Sequence, residues 1–217
     1  AGVYLKDKSL YRKGIKILSS QLNEQILEDG AHYELSPMYH QLMLYRVLDT
    51  IQLLKKNSFS DDVSILHLLK NVASKMISWL ENITFLHGDI PLFNDSAFNV
   101  NPSIKDLINY AGIQGVVSAE LQLGESGYRK LQSGYLELVA NVGNIKPSYQ
   151  PGHAHADSLS FILYARFRPF IVDRGISTYE KNHKRTEERS TASHNTVCIN
   201  KMNSSDVWGG FRVGRRA

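Results

Sequence analysis

Apolar residues recur at helical spacing over roughly the first half of the chain and at strand spacing over the second. Ile15, Leu18, Leu22, Ile26 and Leu27 predict a helix through Ile15–Glu28, stopped by Asp29-Gly30. Ser36 is suited to an N-cap and Pro37 to the first helical position. Leu44, Val47, Leu48, Ile51 and Leu54 then form one stripe, and Lys55-Lys56 oppose the negative end of the helix dipole. A third helix follows Asp61-Asp62, with Ile65, Leu69, Val72, Met76 and Leu80 on one face. Short polar loops between these helices predict hairpins packed side by side.

From about Gly115 the period changes. Tyr135–Val139 alternates apolar and polar, and Leu159–Tyr164 is rich in strand formers. Pro169–Asp173 and Asn195–Asn200 read as two more strands, with glycine turns between. These strands predict the start of an antiparallel sheet system and are fewer than a complete sandwich uses. No internal repeat or low-complexity segment interrupts the pattern.

Composition narrows the classes. A chain of 217 residues with 42% hydrophobic and 21% charged residues suits one large globular domain or two modest ones. No stretch approaches the run of about eighteen apolar residues that a membrane span needs. No basic-then-apolar segment opens the chain, and Ala1 reads as lying inside a domain. A net charge of +4 and a pI near 9.0 suit an anionic partner. With no long Lys/Arg run and no nucleic-acid motif, nucleic acid is not expected as that partner. A single cysteine, Cys198, excludes an internal disulfide; its apolar neighbours predict a buried small hydrophobe.

Two segments could carry chemistry. In Gly152-His-Ala-His-Ala-Asp157 two histidines share one side of an extended segment. Asp173 closes a strand, and His194 precedes another. Separated imidazole and carboxylate ligands at strand ends are what one zinc ion uses, although two surface histidines beside a turn would give the same local pattern. His-x-His-x-Asp also opens the metal site of metallo-β-lactamase-type hydrolases. Those place a further histidine directly after the aspartate, where this chain has Ser158, and they need an alternating β/α pattern that is not present. The second segment is Glu28–His40. Tyr39 falls in the first turn of its helix, off the apolar stripe by the helical step of about 100°, so its hydroxyl is free to face a cleft. His40 falls nearer the stripe and reads as structural. Tyr33 and Glu34 either line a groove or brace the loop.

Taken in order, these segments resemble the heparinase II/III family of polysaccharide lyases. The resemblance rests on Asp29-Gly-Ala-His-Tyr-Glu-Leu-Ser-Pro-Met-Tyr-His40, Ile90-Pro-Leu-Phe-Asn-Asp95, Gln150-Pro-Gly-His-Ala-His-Ala-Asp-Ser-Leu-Ser-Phe161, Val172-Asp173, Arg189-Ser-Thr-Ala-Ser-His-Asn-Thr196 and Trp208-Gly-Gly-Phe-Arg212. It implies an α+β multidomain fold. Residues 1–112 would be the C-terminal part of an (α/α) toroid, an alginate-lyase-like helical domain. Residues 113–217 would be the N-terminal part of an antiparallel β-sandwich. An acidic polysaccharide would lie between them and be cleaved by β-elimination at a uronic acid.

The resemblance assigns Tyr39 and His153 as catalytic. It makes His155, Asp173 and His194 the ligands of a structural zinc that pins the sandwich loops. Arg189 would meet a substrate carboxylate or sulfate, or form a salt bridge within the fold. The family's carboxylate-neutralising Asn or His lies well before the catalytic tyrosine, and Tyr39 is too close to Ala1 for it to be in this sequence. The chain therefore reads as a piece of a longer enzyme. The competing expectation is a non-catalytic or biosynthesis-associated relative that binds an acidic polysaccharide. Where such polymers occur implies a periplasmic or secreted protein. Heparan-like, alginate-like and capsular uronates all stay open.

Overall fold

The structure, a computed structural model, describes residues 1–57 and 63–217. Helix α1 (Lys8–Gln25) is capped by Asp7, whose carboxylate accepts from the Ser9 and Leu10 N–H groups. It begins earlier and ends earlier than the periodicity predicts. At Ile26 the chain turns and forms a bridge with His32. The turn closes through Gly30 N–H on the Leu27 carbonyl (3.0 Å) and Leu27 N–H on the Ala31 carbonyl (2.9 Å). Gly30, at φ +90°, lets this turn press on the third helix, since a Cβ there would sit 2.1 Å from the Lys75 carbonyl oxygen.

Helix α2 (Pro37–Lys56) starts at the Ser36 cap with Pro37 in its first turn. Helix α3 spans Val63–Ile83, and the expected Asp61-Asp62 start lies outside the described residues. The two helices pack through the predicted stripes: Leu44, Leu48, Ile51, Leu69 and Met76 are completely buried. Full burial of each such side chain contributes about 1.5–3 kcal/mol relative to exposure. A shorter helix, α4 (Ile104–Ile113), capped by Ser103, packs on both.

Four strands form one antiparallel sheet in the order β1 (Tyr128–Ser133), β2 (Leu136–Asn141), β3 (Phe161–Ala165), β4 (Arg168–Ile171). Tyr128 pairs with Asn141, and Leu138 with both Leu131 and Leu163, so each inward side chain is fixed by register. Tyr128, Val139, Ile162 and Tyr164 face inward onto α3 and the segment after it. There Phe85 stacks on Tyr164 (3.8 Å), and Trp79 and Phe93 meet Tyr128 (5.8 and 5.2 Å). Polar joints add to this seam. The Asp29 carboxylate accepts from the Gly124 and Ser126 N–H groups and the Ser126 hydroxyl. Buried Glu137 pairs with Lys130 at 3.1 Å.

The expected strand over Asn195–Asn200 does not form. Asn195 instead uses its amide to hold the Phe161 and Val172 carbonyls, and the chain turns back at Asn200 and Lys201, both at positive φ. Cys198, expected to be buried, is exposed, with Val197 and Ile199 beside it. A short helix α5 (His183–Glu188) and a two-stranded hairpin, β5 (Val207–Trp208) with β6 (Arg212–Val213), complete the described elements.

Candidate active site

Ser36 locks the start of α2 to a distant loop. Its side-chain oxygen accepts the Tyr39 N–H (3.2 Å) and donates to the Asp95 carbonyl (2.7 Å), 3.0 Å from the Ser96 hydroxyl. Helix capping thus sets Tyr39 against the segment that carries Asp95. The Tyr39 ring lies stacked on His153 (centroids 4.1 Å, 30° between planes), and its hydroxyl is 2.8 Å from that of Tyr179.

Asp95 is the hub beneath this pair. Its carboxylate is fully buried and accepts from His153 Nδ1 (2.9 Å), His155 Nε2 (2.8 Å) and both terminal nitrogens of Arg185, which is itself buried. Burial alone would push the Asp95 carboxyl up. The hydrogen bonds from His153, His155 and Arg185 outweigh it and hold the group well below the usual carboxylate range. A carboxylate can only accept, so His153 presents N–H at Nδ1 and, when neutral, a lone pair at Nε2. That Nε2 faces Glu34, whose carboxylate lies 3.8 Å away. Burial raises the Glu34 carboxyl, an effect the His153 charge opposes.

Tyr179 completes the cluster. Burial, followed by its bond to Tyr39, pushes its phenol far above the ordinary value, so it keeps its proton. Either hydroxyl can be the donor of this pair. Phe211 stacks on the far side of Tyr179 (5.5 Å), and the Arg185 guanidinium sits 5.4 Å from the Tyr179 ring centroid. Tyr39, His153 and Glu34 are therefore together, as one would need for proton transfer. Tyr33 stands to the side, edge-on to Tyr149 (6.3 Å), whose hydroxyl donates to Glu24.

His155, Asp173 and His194 are buried beneath this layer. His194 Nδ1 donates to Asp173 (2.7 Å), whose other oxygen accepts the Gly175 N–H. The His155 and His194 rings lie 5.3 Å apart, and His155 Nδ1 and His194 Nε2 are both buried without a hydrogen-bond partner. Two such imidazole lone pairs side by side suit a zinc-type donor set. Among the described residues, however, no three His, Cys, Asp or Glu side chains converge in metal-holding geometry. As arranged, Asp173 orients His194. Asp157, also fully buried, lies close enough to both histidines to feel their charge, and burial raises its carboxyl.

Arg189 is a correction. Expected at the substrate or in a salt bridge, it is 1% exposed and donates to the Ala154, Trp208 and Arg212 carbonyls. It clamps backbone. Asp95, Arg185 and Tyr179 escaped the sequence reading. Asp95 ends a loop motif with no periodic signal, and Arg185 sits in a basic run that reads as a solvated face. The one available hint was that Asp95 follows Phe93-Asn94 in an otherwise apolar loop.

Comparison with known proteins identifies the family. The heparinase II/III N-terminus family matches residues 5–116, and the heparinase II/III-like C-terminal family matches residues 118–217. A heparin-sulfate lyase of Pedobacter heparinus is 26% identical over 91% of the chain, and one of Bacteroides thetaiotaomicron is 26% identical over 88%. The chain spans about a third of the length of each, 33%. A crystal structure of heparinase III superposes with a TM-score of 0.72 at 20% identity, covering 97% of this chain and 38% of the other. The heparan sulfate lyase HepC of Pedobacter heparinus superposes at 0.65 and 21% identity, covering 92% and 34%. At these identities the likeness of structures is one of fold.

Proposed function

The chain belongs to the heparinase II/III family, and from that premise we propose that it carries much of the reaction centre of a polysaccharide lyase. The substrate is an acidic polysaccharide containing uronic acid, of the heparin and heparan type that the relatives are named for. The reaction is β-elimination. A base takes the C5 proton, the C5–H electrons form the C4–C5 double bond, and the C4–O bond breaks as an acid protonates the departing oxygen.

The observation that carries this proposal is the stacking of Tyr39 on His153, with the Tyr39 hydroxyl hydrogen-bonded to Tyr179. Elimination needs a base and an acid within reach of adjacent carbons. Tyr39 keeps a hydrogen-bond partner in Tyr179 beside the space where the proton would move. His153, with Nδ1 fixed on Asp95, offers Nε2 toward the same space and can move a second proton. The Glu34 carboxylate lies 3.8 Å from Nε2, on the side the substrate would approach. The helical part is proposed as the end of a toroid and the sheet as the beginning of a sandwich, with the polymer between. Such polymers place the protein in the periplasm or outside the cell.

A structural zinc ion would meet His155 Nδ1 and His194 Nε2, and Asp173, now hydrogen-bonded at His194 Nδ1, would have to move to join them; bound there it would fix the loops that carry His153. If this is right, the full-length protein takes up one zinc per chain, and His194→Ala loses the metal and lowers the unfolding temperature. Elemental analysis and calorimetry read both. A metal-free wild type of unchanged stability in excess zinc would sink the idea.

Tyr39→Phe should leave unfolding nearly unchanged, within about 0.5–1.5 kcal/mol for one hydrogen bond. It should reduce turnover by about 10²–10⁴-fold. Ultraviolet absorbance of the conjugated unsaturated uronate, followed with the full-length protein on a panel of acidic polysaccharides, measures it. Appreciable turnover in that variant removes Tyr39 from the chemistry. No product from the folded wild type on any polymer favours a binding or biosynthetic relative.

A further inference from the structure

Beyond the reacting pair, the hairpin β5–β6 shapes a cavity of about 570 Å³ with Gln150 and Lys181 on its walls and Trp208, Gly210, Phe211 and Arg212 along the hairpin itself. Its composition is unusual for an idle surface. Trp208 is 53% exposed, whereas the chain's other tryptophan, Trp79, is 1% exposed. One side of the indole rests against Gly214, where a Cβ would lie 3.1 Å from the ring. Lys181 and Arg212 are exposed, and among the described residues neither takes part in an ion pair.

The hairpin that presents these groups is held by buried cations acting on its backbone. Arg185 donates from Nε (3.0 Å) and a terminal nitrogen (2.8 Å) to the Gly210 carbonyl. Arg189 donates to the Trp208 and Arg212 carbonyls (3.4 and 3.2 Å). Side chains on the hairpin are thus free to face outward from a fixed frame. Phe211 connects the cavity to the chemistry. It stacks on Tyr179 and meets the edge of His153 at 6.0 Å. A ligand in the cavity would lie next to whatever occupies the space over Tyr39 and His153.

We propose that this cavity is a subsite for one anionic sugar unit, adjacent to the unit that reacts. The assignment rests on the lyase reading for what occupies the neighbouring space. A pyranose ring packs its C–H face on the Trp208 indole. Its carboxylate or sulfate pairs with Lys181 and Arg212, the guanidinium taking the anion through two parallel N–H bonds.

The test uses the full-length protein and three variants: Trp208→Ala, Lys181→Gln and Lys181→Gln/Arg212→Gln. Kinetics on the polymer should show KM raised about tenfold in the double variant, with kcat held within about twofold. Added salt should weaken the wild type more than the double variant. Comparing sulfated with unsulfated uronate polymers tells which anion the cations read. Calorimetric titration of the uncut polymer into Tyr39→Phe, with and without the double change, reads binding without turnover. It therefore separates failure of the subsite from failure of the lyase assignment. Trp208→Ala should weaken binding comparably, and Lys181→Gln, at an exposed position, guards against a folding artefact. Unchanged KM and unchanged calorimetric affinity in both the double variant and Trp208→Ala would overturn the proposal.

Discussion

A fully buried carboxylate survives as an anion only when its counter-charge is buried with it, and Asp95 has that in Arg185. Changing Asp95 to asparagine keeps the shape and removes the charge. It strands the buried Arg185 guanidinium and should destabilise the protein by about 3–5 kcal/mol. The midpoint of urea unfolding measures this, and a loss below about 1 kcal/mol would mean that Arg185 finds another partner. The same residue shows how far single positions could be read in advance. Tyr39 and His153 could be singled out because a helix-start tyrosine off the stripe and a paired-histidine motif both have local signatures, although their catalytic roles came only from the family resemblance, and the structure stacks the two rings. Asp95 has none, since its importance comes from His153, His155 and Arg185, which lie 58 to 90 positions further along. Arg189 was misplaced for a related reason. Sequence reveals a cation, and only burial reveals that it faces carbonyls instead of an anion.

At the scale of elements, the contact of α2 with α3 encloses a histidine whose two ring nitrogens are both engaged. His40 is fully buried against Trp79 (4.4 Å); its Nε2 donates to the Met76 carbonyl, and its Nδ1 accepts the His32 N–H. Both nitrogens are engaged in a neutral tautomer, and burial lowers the pKa to about 3, with the Met76 bond opposing and nearby His32 adding slightly. The unfolded chain binds a proton near the ordinary 6.5, which the folded state refuses. The contribution is intact above that value and is lost progressively as pH falls toward 3. At pH 5 it should amount to roughly 2 kcal/mol relative to pH 7. Urea unfolding across this range measures it. His40→Gln, which does not titrate, should show a correspondingly flatter acid limb; equal slopes would remove His40 as the cause. The buried stripes of α2 and α3 were legible because period alone decides which face is apolar. Residues 195–200 were not, because a strand needs a partner as well as β-formers, and here the backbone turns at Asn200 before one is met.

For the molecule as a whole, helices followed by an antiparallel sheet were legible from the change of period near Gly115. The seam was not. Asp29 with Ser126, Lys130 with Thr84, and Phe85 with Tyr164 join segments 46 to 97 positions apart, and no local pattern announces such pairs. The proposed reacting groups sit on that seam. Tyr39 comes from the helical part, and His153 and Tyr179 come from segments that flank β3 and β4. Any change that loosens the seam should therefore reduce turnover before it unfolds either part.

The clamp on the β5–β6 hairpin has a further consequence. Arg185 and Arg189 grip carbonyl oxygens, which every amino acid supplies. The anchorage is therefore indifferent to which side chains occupy 207, 208 and 212, whereas Phe211 packs on Tyr179 and His153. A library randomised at those positions, with both arginines untouched, would sample new surface chemistries on an unchanged scaffold. The hairpin is in this sense an interchangeable cassette, whose outer face can change while its anchorage does not.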